Sequence, residues 1–308
     1  MQLFKTFRDL PAGAQGAVIV IGNFDGVHQG HQSLIRLAHE KAALLNAPVG
    51  VLTFEPHPRA LFRPDDPVFR LTPDALKQER LAACGVDILY SVKFDWDFAS
   101  LSPQQFIDQV LKDGLQPAHI IVGQDFCFGQ LRKGTTQTLI DAGLSVSALE
   151  KVVDEDGDDV SSSSIRQELR HGNIEAANQL LGWEWIMQGT VVQGDQRGRA
   201  LGYPTANVPL GDTLHPAYGI YASYVQIVED GPDAPWLPAA TNIGIRPMFE
   251  VEVGQIESYI FDFNRDIYGK TLRVKPVKRL RGEAKFDSLE ALIAQIGADC
   301  VEARRILT

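Results

Sequence analysis

The hydrophobic pattern of this chain changes period near Gly182, and that change limits what it can fold into. Before it, short apolar runs at Val18–Ile21, Val49–Phe54, Ile88–Val92 and His119–Val122 alternate with stretches of helical spacing. Those stretches are Ser33–Leu45, Thr72–Cys84, Pro103–Leu111 and Ser161–Leu181. Apolar strands separated by helices predict a parallel sheet covered on both faces, an α/β domain. After Trp183 the pattern becomes two-residue alternation, in Gly219–Val228 and Ile256–Phe263, with Leu272 and Val274 on one face of Thr271–Val277. Helical spacing returns only after the capping-box pattern Asp287-Ser-Leu-Glu290. Short strands without crossovers predict an antiparallel β-barrel. The 308 residues therefore divide into 1–182 and 183–308.

Ligands in parallel sheets gather beyond the carboxyl ends of the strands. Three loops reach that edge: Gly22–His31, Glu55-Pro-His-Pro58 and Gly123–Gly129. The first, Gly22-Asn-Phe-Asp-Gly-Val-His-Gln-Gly-His31, sets two histidines three apart where a helix begins. A helix N-terminus carries partial positive charge and attracts phosphate. Glycines at 22, 26 and 30 let backbone approach a ligand closely. A solvated turn or half a zinc site are the alternatives, and zinc would want further Cys or His close by.

In the second half, Gly194-Asp-Gln-Arg-Gly-Arg-Ala-Leu-Gly-Tyr-Pro-Thr-Ala-Asn207 is either a plain loop or a phosphate cradle. The Thr205 hydroxyl and Asn207 carbonyl are hard oxygen donors that suit Mg²⁺ bridged to ATP phosphates. Glu257 alternates onto the face of Tyr259, Phe261 and Phe263, where a carboxylate is costly unless paired or used. Two stretches carry a blander reading. Asp154-Glu-Asp-Gly-Asp-Asp159 reads as a hairpin turn rather than a calcium loop. Gly129–Thr136 has P-loop glycine spacing, but Thr135 stands where the lysine belongs and no strand-to-helix transition is evident.

The Gly22–His31 string resembles the adenylyltransferase half of the bacterial bifunctional riboflavin kinase/FMN adenylyltransferase family, the FAD synthetases. So do Thr53-Phe-Glu-Pro-His-Pro-Arg59, Gly123-Gln-Asp-Phe-Cys-Phe-Gly129 and Val160-Ser-Ser-Ser-Ser-Ile-Arg166, and the second half resembles the kinase portion. The resemblance implies a Rossmann-like nucleotidylyltransferase domain followed by a riboflavin kinase barrel. It implies ATP bound by Gly22, Phe24, His28, His31, Ser161, Ser162, Ser163 and Arg166 in the first domain. In the second, ATP would meet Gly198, Gly202, Pro204, Thr205 and Asn207, with Mg²⁺ on Thr205 and Asn207. Flavin would meet Asp125, Phe126, Phe54 and Arg281. Glu257 would be the kinase base, while His28 and His31 would serve adenylylation of FMN to FAD. The chain departs from the family at Ser163 and Met248 (usually Thr), Cys127 (often Arg) and Tyr259 (usually His).

Riboflavin, FMN, FAD and ATP are thus the expected partners. A net charge of −10, with neither half basic, argues against nucleic acid. No run of about 18 apolar residues predicts a membrane span, the start has no signal-peptide pattern, and the cytoplasm is the expected location. Loss of one activity, or flavin-nucleotide binding without turnover, are the competing readings.

Overall fold

A computed structural model describes every residue except 155–156, 195–197, 199–200 and 249–250, with 246–248 and 251–253 described by backbone alone. By packing, the chain forms two compact units. One comprises Met1–Pro67 and Asp74–Ser161, the other Val68–Pro73 and Ser162–Thr308.

The first unit holds strands β1 (Gln2–Phe4), β2 (Val18–Ile21), β3 (Val49–Glu55), β4 (Ile88–Lys93) and β5 (His119–Gly123). A small hairpin, β6 (Cys127–Phe128) with β7 (Gly134–Thr135), precedes β8 (Val146–Leu149). The main sheet runs β1-β4-β3-β2-β5-β8, and every neighbouring pair is parallel. Alternate strand residues face opposite sides. Val18, Val20 and Val51 pack on Ile35 and Ala38 of the Gln29–Leu45 helix and on Leu81 of the Asp74–Ala83 helix. Ile19, Ile21, Leu52 and Ile120 pack instead on Ile107, Val110 and Leu111. Each Val, Leu or Ile among these stabilises the fold by about 1.5–3 kcal/mol on leaving water. The chain winds from β2 to β3 and β4 on one side, then returns to β5 on the other. The carboxyl end of β2 is therefore the switch point, where such sheets bind ligands.

The second unit holds β9 (Met187–Thr190), β10 (Ala206–Pro209), β11 (Gly219–Ile227), β12 (Leu237–Met248), β13 (Val251–Ile260) and β14 (Thr271–Arg281). The order β10-β13-β12-β11-β14-β9 is antiparallel at every step. Beyond β9, Val192 N–H donates to Asn207 O on β10 at 2.8 Å, which nearly closes the barrel. Its core takes Met187, Val208, Tyr221, Ile243, Ile256, Ile260, Leu272 and Val274.

Ile165, Leu169, Ile174, Ala177 and Leu181 join that same core. Here packing and sequence pattern part: helical spacing runs to Leu181, but the apolar faces of those helices seal the barrel, so the packing division lies after Ser161. The stretch predicted as one helix is two, Ser162–His171 and Ile174–Leu181. Gly172, at φ +82°, breaks it, and a Cβ there would meet Arg279 Cδ at 2.6 Å. The Leu289–Leu307 helix, capped by Ser288, lies against the outer face of the sheet, where Ala222, Ala240, Phe261 and Ala303 form a second cluster.

Candidate active sites

The loop after β2 turns sharply: Phe24, Gly26 and Val27 all have positive φ, +54°, +88° and +40°. Such values are uncommon for Phe and rarer for a β-branched Val, and strain of this kind gathers at functional sites. The loop is fixed by Thr53 Oγ1 donating to Asn23 O (3.0 Å) and Gln32 Nε2 donating to Val27 O (2.8 Å). His28 holds the N-cap position of the Gln29–Leu45 helix without using its side chain as a cap. Its ring stacks on His31 with centroids 3.8 Å apart, and Phe24 backs His31 at 4.9 Å. His31 Nδ1 is buried with no hydrogen-bond partner among the described residues. Burial, and then the neighbouring His28, hold the His31 pKa well below the usual histidine value. Gly30 makes the stack possible: a Cβ there would lie 3.1 Å from His28 Cε1 and Nδ1 and 3.4 Å from Val160 O.

The other predicted residues of this half are placed variously. Phe24 is fully buried, and its ring backs His31. Phe54, the next-to-last residue of β3, sits in an aromatic cluster with Phe94 (5.6 Å) and Phe98 (5.4 Å). Asp125 is exposed just beyond β5, and Phe126 stacks on Phe128 at 5.6 Å. Cys127 is a half-buried free thiol, with Arg132 and Lys133 exposed nearby. The Gly129–Thr136 stretch does pass from a two-residue strand into a short helix, contrary to expectation. There Thr135 accepts from Thr138 N–H as the helix cap. Ser161 closes the first unit, and Ser162 and Ser163 open the next helix. Arg166 is buried, its Nε donating to Phe69 O at 2.7 Å. The flanks of the acidic turn pair as a hairpin, Val153 with Asp159; residues 155–156 lie outside the described residues.

In the second unit a cavity of about 350 Å³ lies between the sheet and the C-terminal helix, within the roughly 300–1,000 Å³ of small-molecule sites. Gly198, Thr205, Asn242, Glu257, Tyr259, Arg281 and Glu283 line it. Glu257 sits on β13 directly between Asn207 of β10 and Asn242 of β12. Asn207 is buried; its Oδ1 accepts from Gln255 Nε2 (3.0 Å) and its Nδ2 donates to Thr205 O (3.1 Å). A Cβ on Gly194 would lie 2.6 Å from Asn207 Nδ2. Gly198 O accepts from Tyr203 N–H at 2.8 Å, Gly202 has φ +86°, and Pro204 is exposed. Residues 195–197 and 199–200 of this predicted cradle, and the Met248 side chain, lie outside the described residues. Arg281 forks onto Asp299, with Nη2 to Oδ2 at 2.7 Å and Nε to Oδ1 at 3.0 Å. Phe263 corrects the expected alternation: β13 ends at Ile260, Asp262 turns the chain at φ +54°, and Phe263 packs on the barrel core instead. Asp299 also lines the cavity, and no local motif marks it.

The FAD synthetase family model matches residues 10–164 and the riboflavin kinase model residues 181–307. The bifunctional riboflavin kinase/FMN adenylyltransferase of Escherichia coli (strain K12) is 39% identical over 308 residues, covering 99% of this chain and 97% of the relative. The chain belongs to the bifunctional riboflavin kinase/FMN adenylyltransferase family. Its relative of that name in Bacillus subtilis (strain 168) is 39% identical over 297 residues, covering 94% of this chain and 92% of the relative. A crystal structure described as a macrolide-efflux protein from Streptococcus pneumoniae is also similar, with TM-score 0.86 and 36% identity over 98% of each chain. Among the described residues no helix is long and apolar enough to cross a membrane. As a riboflavin kinase/FMN adenylyltransferase, the chain forms FAD in its N-terminal region and phosphorylates riboflavin in its C-terminal region, in the order of the matched models.

Proposed function

We propose that these two ATP-dependent reactions run on the two constellations just described, in domains 1–182 and 183–308. In the first, His28 and His31 hold the ATP phosphates while an FMN phosphate oxygen attacks the α-phosphorus and pyrophosphate leaves. Such chemistry needs positioning and charge stabilisation rather than a covalent nucleophile. The stacked imidazoles at the switch point, 3.8 Å apart, carry this reading. Gly22 lets the backbone approach, Phe24 braces His31, and Ser161, Ser162, Ser163 and Arg166 serve ATP. Phe54, Asp125 and Phe126 serve the flavin.

In the second, Glu257 takes the proton from the riboflavin 5′-hydroxyl as that oxygen attacks the γ-phosphorus and ADP leaves. Gly198, Gly202 and Pro204 shape the phosphate loop, and Arg281 forms the flavin side of the cavity. Thr205 and Asn207 would hold Mg²⁺. The donor set fits a hard cation that keeps most of its ligands from water and phosphate: Thr205 and Glu257 both line the cavity, and the Asn207 Oδ1 is held in place by Gln255. Bound there, the ion would neutralise charge on the ATP phosphates. The enzyme works in the cytoplasm on ATP, riboflavin, FMN and FAD.

One experiment separates the halves. Wild type, His28→Ala and Glu257→Gln are each given riboflavin or FMN with ATP and Mg²⁺, and the flavins are separated by chromatography. His28→Ala should accumulate FMN without FAD. Glu257→Gln should slow FMN formation by about 10²–10⁴, the usual contribution of a positioned base, yet convert supplied FMN normally. Normal FAD formation by His28→Ala refutes the first assignment, and a loss of tenfold or less in Glu257→Gln refutes the second.

A further inference from the structure

Thr205 and Glu257 reach the cavity from different elements, a loop and strand β13. Two aromatic residues join those elements. Tyr203 stands two residues before Thr205, with Pro204 between them, and proline's fixed φ couples the placement of its two neighbours. Tyr259 stands two residues after Glu257 on the same face of β13. The two rings meet edge to face, centroids 5.3 Å apart at 79°. Tyr259 is itself held from behind by Phe261 at 5.7 Å. Tyr203 is fixed at one further point, where its N–H donates to Gly198 O at 2.8 Å.

We infer that Tyr259 is a positioning residue for riboflavin phosphorylation. It holds the Tyr203 ring, and through Tyr203 and Pro204 it sets where the Thr205 hydroxyl stands relative to the Glu257 carboxylate. The inference rests on the kinase assignment above. Edge-to-face pairs are worth several-fold in an equilibrium, and small misplacements of reacting groups cost up to about 10² in rate. Removing the ring therefore acts mainly on the chemical step.

The test measures single-turnover phosphorylation of riboflavin with enzyme in saturating excess, where the rate constant no longer depends on how much of the protein is folded. Tyr259→Ala should slow it about tenfold or more, while Tyr259→Phe, which keeps the ring, should stay within about threefold of wild type. Tyr203→Ala should match Tyr259→Ala, and the double variant should be no slower than the slower single, because both remove one contact. A Tyr259→Ala rate within about threefold of wild type, or single effects that multiply in the double variant, overturns the inference. Thr205→Ala is run beside them. If it is as fast as wild type, the kinase assignment falls and this inference with it; if it is slow while Tyr259→Ala is fast, this inference alone falls.

Discussion

Gly30→Ala should separate stability from activity in the adenylylating half. Gly30 lies in the first turn of the Gln29–Leu45 helix, with no need for positive φ. Replacing a helical glycine by alanine is worth about 1 kcal/mol in the helix's favour. The new methyl would sit 3.1 Å from His28 Cε1 and Nδ1, where carbon contacts prefer about 3.5–4.0 Å. The His28 ring must give several tenths of an ångström, and His31, stacked 3.8 Å away, blocks the simple retreat. Crowding offsets the helical gain, so the thermal midpoint should stay within a few degrees of wild type. A misplacement approaching 1 Å costs up to about 10² in rate, so FAD formation from supplied FMN should fall between about tenfold and a hundredfold. Riboflavin phosphorylation in the same sample should not change. If Gly30→Ala makes FAD within twofold of wild type, the ring pair does not need the space that the glycine leaves.

Gly194→Ala should damage the other half: its Cβ would fall 2.6 Å from the Asn207 amide, which two hydrogen bonds hold in place. Overpacking of this kind costs about 1–3 kcal/mol; phosphorylation should slow with a raised Mg²⁺ requirement, and an unchanged magnesium titration would count against Asn207 as a metal ligand. His31, whose native pKa is depressed by burial and by His28, makes stability fall with acid. Below about pH 6.5 the unfolded chain binds a proton that the native site refuses. Urea midpoints should therefore drop as pH falls from about 6.5, with a slope of up to about 1.4 kcal/mol per pH unit that His31→Gln removes; an equal slope in the variant would refute the assignment. A fragment of residues 162–308 should melt higher than one of 183–308, since the shorter piece lacks Ile165, Leu169, Ile174, Ala177 and Leu181 from the core, and equal melting temperatures would contradict that.

Four of the six parallel strands were legible because burial on both faces leaves an uninterrupted apolar run, as in Val18–Ile21; β1 and β8, at the sheet edges and only partly buried, carry no such run. Strand β12 was not, because Pro238, Gly244 and Pro247 break its pattern; β11 and β13, paired along both its edges, hold it extended. The histidine pair and the Pro204-Thr-Ala-Asn207 run were legible because each is a short local string. What completes the sites was not, because it joins distant positions: Arg281 with Asp299, Gly194 with Asn207, and Gly244, where a Cβ would overlap the Glu283 carboxylate. Glycine letters declare freedom, but only the fold names the side chain that occupies the space.

The short run Val68–Pro73 has a consequence for how the protein is made. It belongs to the second unit's packing: Trp185 Nε1 donates to Leu71 O, Arg166 Nε to Phe69 O, and Leu71 is wholly buried. The polypeptide thus crosses between units three times, and no single cut in the gene separates them. Synthesis runs from the amino end at about 5–20 residues per second. Phe69 and Leu71 emerge many seconds before the residues that will cover them. Through that interval the nascent chain carries Phe69 and Leu71 without the residues that cover them in the finished fold.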